Sequence, residues 1–231
     1  PCPAVVRYIE HYTPELLPKL FPVQSPLMCA AIYAKNEMKI SDKLAFGCGM
    51  LSQVALPGTI RSVGSNVWEE TPFLAKWTEQ VQEDPGNIGA IFWDGRWLEG
   101  PVQLPKQVRI VAGGAFYGNQ NITRVHLPAA VSWVGPAAFK GCRALREVVW
   151  PAGLAKVEPE VFSGCTELER IRNGEEERPL WADLESHRCL EVSGESDRGY
   201  SPVWQSVGER AFYRCVYLKE TDLTGAEYIG K

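Results

Sequence analysis

The sequence predicts a β-rich α/β solenoid, in which short strands and turns wind into stacked coils. The first observation is that Phe116, Phe139 and Phe162 lie 23 residues apart. The second is that apolar residues recur eight and five residues before each Phe and six and nine residues after it: Val108, Val131, Leu154; Val111, Val134, Val157; Ile122, Leu145, Leu168; Val125, Val148, Ile171. A fixed period in the twenties is typical of a solenoid, whose coils bury their apolar faces against one another.

Each coil is predicted to contain a short strand at L-x-x-V-x-L, a second extended piece at V-x-x-V-G and a tight turn around A-F-x-G-C. The glycines of the second piece, Gly64, Gly135 and Gly208, are expected to permit a sharp corner. One coil buries too few apolar side chains to offset the conformational entropy of ordering it, so the stack is the cooperative unit.

The repeated words resemble the BspA-like class of bacterial leucine-rich repeats, most clearly in VGPAAFKGCRALREVVWP and VEPEVFSGCTELER. The resemblance covers about residues 40–231. It implies a leucine-rich-repeat superhelix of right-handed form. It also implies a bacterial cell-surface or secreted protein with an adhesin-type function.

Residues 1–39 lack the repeat and are predicted to be a helical cap, or the end of a preceding helical domain. Apolar residues between Val5 and Leu20 have near-helical spacing, but Pro14 and Pro18 interrupt them, so two short helices are expected. A further helix is expected from about Pro26 to Lys35, where LMCAAIYAK is rich in helix formers.

The solenoid over residues 40–231 is predicted to contain two irregular insertions, the first at about residues 69–100. Before it, Phe46 is assigned to the Phe position of a coil that is one residue short, and Trp68 to the Phe position of the next. Within it, AKWTEQVQ predicts a helix, and NIGAIFWDGRWLEG predicts a β-hairpin that turns at Asp94-Gly95.

The second insertion is predicted at about residues 174–201. Phe162 and Phe212 lie 50 residues apart, about two periods, so a degenerate coil in PLWADLESHRCLEV and an exposed loop at 194–201 are expected. This stretch carries eight acidic residues against three arginines between residues 174 and 200. The repeat resumes around Phe212 and stops at Ile229-Gly230, which leads us to expect further repeats or domains in the parent chain.

Four of the seven cysteines fall at or beside one position in the repeat: Cys48, Cys142, Cys165 and Cys215. Stacked coils would place these thiols one above another, and a buried thiol is a small hydrophobic group with a weak S–H donor. We predict a buried, reduced ladder whose thiols meet loop carbonyls. Asn119 and Thr71, at the same position, are expected to do the same.

Composition excludes some classes of function. A net charge of −4 and a pI near 5.5 argue against a general nucleic-acid binder. The sequence contains no run of 18 apolar residues, so no membrane span is predicted. His11, His126 and His187 belong to no nucleophile motif, and His187 and Cys189 lack the companion ligands of a zinc motif. The sequence therefore predicts no enzyme, no metal site and no cofactor.

Binding surfaces have more support. The outward positions of the L-x-x-V-x-L strands predict a mixed-charge surface, the strand ridge, formed by Arg124, His126, Arg146, Glu147, Arg170, Arg172, Glu220 and Asp222. A solvated face without a partner explains the same pattern equally well. Trp93, Trp97 and Trp133 are a second candidate contact surface for protein or sugar.

The predicted function is a non-enzymatic leucine-rich-repeat module that binds a protein or glycan ligand. The resemblance alone implies the adhesin-type setting, because a fold does not determine a function. The alternative is an intracellular structural or scaffold repeat module attached to a helical domain.

Overall fold

The computed structural model describes the backbone of residues 4–9, 29–34, 37–84, 88–174, 204–218 and 228–230, with side chains at 37–84, 88–172, 204–218 and 229–230. All of its strand pairs are parallel. Parallel pairing between strands about one period apart is the topology of a solenoid, so the predicted fold class is confirmed.

The first ladder of strands carries the L-x-x-V-x-L positions. Its members are β1 (Ala4–Ile9), β2 (Cys29–Ala34), β4 (Gln53–Ala55), β7 (Gly100–Gln103), β9 (Ile122–His126), β11 (Glu147–Pro151) and β13 (Arg170–Gly174). They form a sheet β1-β2-β4 and a sheet β7-β9-β11-β13. Val125, Val148 and Ile171 are aligned and buried, so the predicted inward column is present.

The second ladder carries the V-x-x-V-G positions. Its members are β3 (Met38–Ile40), β5 (Ile60–Val63), β6 (Ile91–Phe92), β8 (Ile110–Val111), β10 (Trp133–Val134), β12 (Lys156–Val157), β14 (Ser206–Val207) and β15 (Tyr228–Ile229). The glycines after these strands permit close packing. A Cβ on Gly135 would lie 2.4 Å from the Gly113 backbone nitrogen, so no side chain fits there.

Tight turns form the third edge of each coil and place the phenylalanine rings in one file. The ring centroids of Phe116 and Phe139 are 4.9 Å apart, and those of Phe139 and Phe162 are 5.5 Å apart, with the planes within 15°. Three backbone N–H groups of each regular turn donate to the following turn. From the turn of Phe139 the bonds are Ala137 to Pro159, Phe139 to Val161 and Gly141 to Ser163, at 2.9, 2.9 and 2.7 Å.

The N-terminal segments form strands rather than the predicted helices. β1 pairs with β2 and β2 pairs with β4, all in parallel. The expectation of a helix over Pro26–Lys35 is therefore wrong across Cys29–Ala34, and the helix expected from Val5 is wrong as far as Ile9. The helix-forming alanines of β2 occupy a strand because the neighbouring strand β4 offers backbone partners, and tertiary context overrides propensity. Residues 10–28, including both prolines, lie outside the described residues.

The coil before Trp68 lacks no residue. Ala45, fully buried, occupies the Phe position, because its N–H donates to Val67 O as that of Phe139 donates to Val161 O. Ala45 lies 23 residues before Trp68 and three before Cys48, which is the regular spacing. The assignment of Phe46 to this position was wrong, and 37% of Phe46 is exposed.

The first insertion contains the predicted helix but not the predicted hairpin. Helix α1 spans Pro72–Glu83, begins after the N-cap Thr71 and buries Trp77 and Val81. β6 and β7 each pair in parallel with later strands, β6 with β8 and β7 with β9. Asp94 and Gly95 therefore do not join two antiparallel strands. They belong to a turn that stacks on the turn of Phe116, since Gly95 N donates to Ala115 O at 2.7 Å.

The turns of Phe162 and Phe212 are direct neighbours in the stack. The two rings stack directly, with centroids 5.6 Å apart, and β12 pairs with β14. The degenerate coil assigned to this 50-residue interval is therefore absent from the stack. The intervening residues 175–203, including the predicted loop at 194–201, lie outside the described residues.

Candidate binding surface

The strand ridge occupies the outward face of β9, β11 and β13. In register, Arg124 lies beside Glu147, and Glu147 lies beside Arg170. The next outward file contains His126, Val149 and Arg172. Because neighbouring strands are about 4.8 Å apart, each file is a column of side chains at fixed intervals along the solenoid axis. The structure thus brings five of the predicted ridge residues onto one sheet face.

Glu147 is the acidic residue of this face that pairs with two arginines. Its side chain is 14% exposed, and its two oxygens face two arginines on different strands. Arg172 Nε lies 3.0 Å from Glu147 Oε1, close enough for an ion pair although not aligned for a hydrogen bond, and Arg124 Nε lies 3.9 Å from Oε2. One carboxylate therefore partly neutralises two cations and restrains their side chains.

Arg146 and Arg170 differ from these paired arginines. Both are exposed, and neither makes an ion pair or side-chain hydrogen bond to another residue of the described ranges. Arg146 directly precedes β11, where its backbone bonds to Thr123 and Glu169 place it between β9 and β13. Within the described part of the chain, the ridge thus presents two guanidinium groups that have no side-chain partner. Glu220 and Asp222 lie outside the described residues.

His126 contributes no positive charge to the ridge at neutral pH. Partial burial lowers its pKa below the ordinary value of 6.5, because loss of water disfavours the protonated ring. The charge of this file therefore comes from Arg172, which is paired with Glu147 of the neighbouring file.

The three candidate tryptophans are half-buried and packed against the core. Trp93 meets Trp68 edge-on with centroids 5.6 Å apart. Trp133 lies under the ammonium of Lys156, 5.5 Å from the ring centroid, and its Nε1 lies 3.4 Å from Val63 O. These contacts explain why the aromatic positions are filled, and a binding role for them stays a prediction.

The irregular coil contains a charge cluster that the sequence reasoning missed. Arg96 donates to both carboxylate oxygens of Asp94 at 2.9 Å and to Glu69 Oε1 at 2.9 Å. The hydrogen bond to Asp94 raises the pKa of Arg96 above its ordinary value. Burial opposes this effect, and the hydrogen bond to Glu69 adds to it. The pocket beside this cluster is small, about 20 Å³ of space for the centre of a water molecule. The sequence signal for this cluster is the Asp94-x-Arg96 spacing, which the hairpin prediction explains as part of a turn.

The side chains at the cysteine position link neighbouring turns of the stack. Cys142, Cys165 and Cys215 each place Sγ 3.0–3.1 Å from the carbonyl oxygen of the Phe position in the preceding turn, as predicted: Phe116, Phe139 and Phe162. Asn119 makes the equivalent bond to Gly95 O at 3.0 Å. Thr71 instead bonds Trp68 O within its own turn and caps α1.

The thiols of Cys165 and Cys215 are poor nucleophiles. Burial raises the pKa of Cys215 to about 12, and contact with Cys142 together with burial raises that of Cys165 further. Both stay protonated at neutral pH, whereas the thiolate is the reactive form. Among the described residues, no group of three or more His, Cys, Asp and Glu side chains is placed to hold a metal. His187 and Cys189 lie outside that part of the chain.

These ladders and turns define a protein class, the parallel β-solenoid repeat proteins. Residues 98–176 match the family model described as a BspA type leucine rich repeat region, in six copies. Residues 98–176, about a third of the chain, are therefore a region of BspA type leucine-rich repeats, and the predicted resemblance is confirmed.

Three bacterial proteins of known structure are similar to the chain. A leucine-rich repeat protein of T. pallidum is 17% identical, with 95% of this chain and 79% of that one covered and a TM-score of 0.40. One from Bacteroides ovatus is 16% identical, with 89% and 40% covered and a TM-score of 0.44. A leucine rich cell surface protein of Faecalibacterium prausnitzii is 14% identical, with 88% and 59% covered and a TM-score of 0.43. The chain thus spans 40% of the Bacteroides ovatus protein and 59% of the Faecalibacterium prausnitzii protein.

Two further comparisons bear on the chain. A search of curated proteins gives no match. The model of the iron only hydrogenase large subunit, C-terminal domain, matches residues 1–45. That stretch is about a fifth of the chain, and its described strands β1, β2 and β3 pair within the parallel ladders, so the match establishes no hydrogenase domain. Within the described residues, no helix is long and apolar enough to cross a membrane.

Proposed function

We propose that this protein is a non-enzymatic binding module that recognises a protein or glycan ligand through the strand ridge. The observation that carries the proposal is the register of Arg124, Glu147 and Arg170 across three parallel strands. Outward side chains on paired strands are held at fixed separations, so a ligand meets a surface that needs little ordering on binding.

The charge arrangement supports recognition over simple solvation. Glu147 restrains Arg124 and Arg172, while Arg146 and Arg170 are exposed and have no side-chain partner among the residues that the structure describes. Arginine is enriched at binding hot spots because its planar guanidinium forms several directed hydrogen bonds. Repeat solenoids commonly use such extended surfaces for binding.

A cell-surface or secreted location belongs to the same proposal. The Faecalibacterium prausnitzii protein is described as a cell surface protein. A mixed-charge ridge with paired acids and bases suits a water-exposed setting.

The experiment screens the purified protein against arrays of defined glycans and defined synthetic peptides. The test variant combines Arg146→Ala and Arg170→Ala, which removes two exposed side chains without breaking an ion pair of the described residues. The matched control carries Arg109→Ala and Lys106→Ala, two exposed cations away from the first ladder. We expect a reproducible array ligand for the wild type, retained by the control and lost by the test variant.

Two results contradict the proposal. One is the absence of any array ligand for the wild-type protein. The other is a ligand that the test variant and the wild type bind equally well, which would place recognition away from the ridge.

A further inference from the structure

The charged file of the strand ridge has a spacing that selects among ligands. Arg124 and Arg170 lie two strands apart, with the partly neutralised Glu147 between them. Two strand steps of about 4.8 Å separate the two arginines by about 9.6 Å along the solenoid axis. A ligand running along this axis therefore meets a cation, a screened acid and a second cation at regular steps.

A polyproline II peptide matches this interval. Such a helix has three residues per turn and rises about 3.1 Å per residue, so residues i and i+3 face the same side about 9.3 Å apart. A fully extended strand places its same-side residues about 6.8 Å apart and misses the interval. Carboxylates at i and i+3 of a polyproline II segment would each meet one guanidinium.

The neighbouring groups favour the same partner. Arg146 flanks the charged file and is exposed, which adds a third cation for an acidic ligand. On the other side, the next file contains the buried Val149, His126, whose pKa is lowered by burial, and Arg172, which is paired with Glu147. Uncharged proline rings between the acidic residues can cover this file without burying an unpaired charge.

We propose that the strand ridge binds an acidic peptide in the polyproline II conformation, with carboxylates three residues apart facing Arg124 and Arg170. This inference rests on the proposed function and names its ligand class. Paired guanidinium–carboxylate contacts supply specificity, and the stiff peptide limits the entropy lost on binding.

The test measures binding of synthetic peptides by fluorescence polarisation at low and moderate salt. The probe is a repeating Glu-Pro-Pro peptide. The first control has the same composition with its glutamates contiguous, and the second replaces glutamate by glutamine. We expect the repeating acidic peptide to bind more tightly than either control, with affinity that falls as salt rises.

Protein variants locate the site. Arg170→Ala is expected to weaken binding about fivefold, the upper end for an exposed ion pair, and Arg109→Ala is expected to leave binding unchanged. Arg170→Glu is expected to lose the acidic peptide and to prefer a repeat in which one glutamate is lysine. Circular dichroism confirms that each variant folds.

Equal affinity for the repeating and contiguous peptides, or wild-type affinity in Arg170→Ala, overturns the inference. So does binding of polygalacturonate with no peptide binding, since the ligand would then be an acidic glycan. In each of these cases the proposed function survives if the Arg146→Ala, Arg170→Ala variant loses its array ligand. The proposed function itself is contradicted if that variant keeps the array ligand.

Discussion

The ring of Phe92 stacks on the ring of Phe116, with centroids 5.1 Å apart and planes inclined by 17°. Phe92 nevertheless does not occupy the Phe position of its own turn. Gly95 does, three residues later, as its backbone bond to Ala115 shows. The aromatic file is therefore continued by a side chain from β6 that fills the space left by a glycine.

Gly95→Ala is expected to destabilise the protein by about 1–3 kcal/mol, the usual cost of overpacking a core. The added Cβ would lie 2.4 Å from Phe116 Cε1 and 2.9 Å from Phe92 Cε1. Urea unfolding measures the change. Gly153→Ala is the matched control, since its Cβ would meet nothing within 4 Å. Equal effects of the two substitutions would contradict the packing of Phe92 into this position.

Deletion of residues 175–201 is expected to leave the solenoid folded. Gly174 aligns with Pro151 on β11, and Leu154 follows Pro151 by three residues. The deletion would put Trp204 three residues after Gly174 and restore 23 residues between Phe162 and Phe212. A shorter connection has a smaller closure entropy, so stability is expected to be unchanged or raised by about 1 kcal/mol.

Urea unfolding and tryptophan fluorescence check this deletion. A matched deletion of 27 residues from inside the regular stack, 117–143, removes more than one period and is expected to unfold the chain. Loss of the folded state in the 175–201 deletion would show that the direct stacking of the two turns is wrong.

Stability is expected to fall as pH rises above about 9, in part through Cys215. The thiol has an ordinary pKa of 9.0, and burial raises it to about 12 in the folded protein. Between these values the unfolded chain releases the proton while the folded chain retains it, so unfolding becomes more favourable with rising pH. The contribution is complete below pH 9 and is lost as pH approaches 12.

Urea unfolding of the wild type and Cys215→Ala at pH 7 and pH 10.5 isolates this group from other titrating residues. The wild type is expected to lose more stability over this interval than the variant. The same loss in both proteins would mean that the Cys215 pKa is not raised.

Glu147→Gln is expected to lower the free energy of unfolding by about 1 kcal/mol, because the carboxylate neutralises two half-buried arginines. Glu37→Gln is the control. Its ion pair with Arg61 is 3.0 Å long but exposed, with 73% and 56% of the side chains accessible, so an effect within about 0.5 kcal/mol is expected. Thermal unfolding at low and high salt measures both. A smaller loss for Glu147→Gln than for Glu37→Gln would argue against the paired arrangement.

The regular coils could be predicted from the sequence because their spacing is uniform. Phe116, Phe139 and Phe162 repeat at one interval, and a one-residue shift would move every inward side chain to the other face. The sequence-based predictions are wrong where a different residue occupies or fills the position expected for a phenylalanine. Ala45 was overlooked beside Phe46, and Phe92 reaches a position that Gly95 holds by backbone alone. Such substitutions depend on three-dimensional space rather than on spacing along the chain.

The ridge was predictable as a set of positions but not as a network. Alternation along β9, β11 and β13 places Arg124, Glu147 and Arg170 outward. The diagonal pairing of Glu147 with Arg172 depends on side-chain rotamers, which no repeat pattern contains. The N-terminal strands were missed for a different reason, because alanine-rich sequence favours helix until a neighbouring strand competes for its backbone.

The turn-to-turn bonds from Ala137, Phe139 and Gly141 have a mechanical consequence. They lie along the solenoid axis, so tension between the two ends would load successive turns in series. Each turn that detached would release about 23 residues, or about 80 Å of extended chain, and leave the remaining turns stacked. Under pulling, the molecule would lengthen in steps and absorb work at each one.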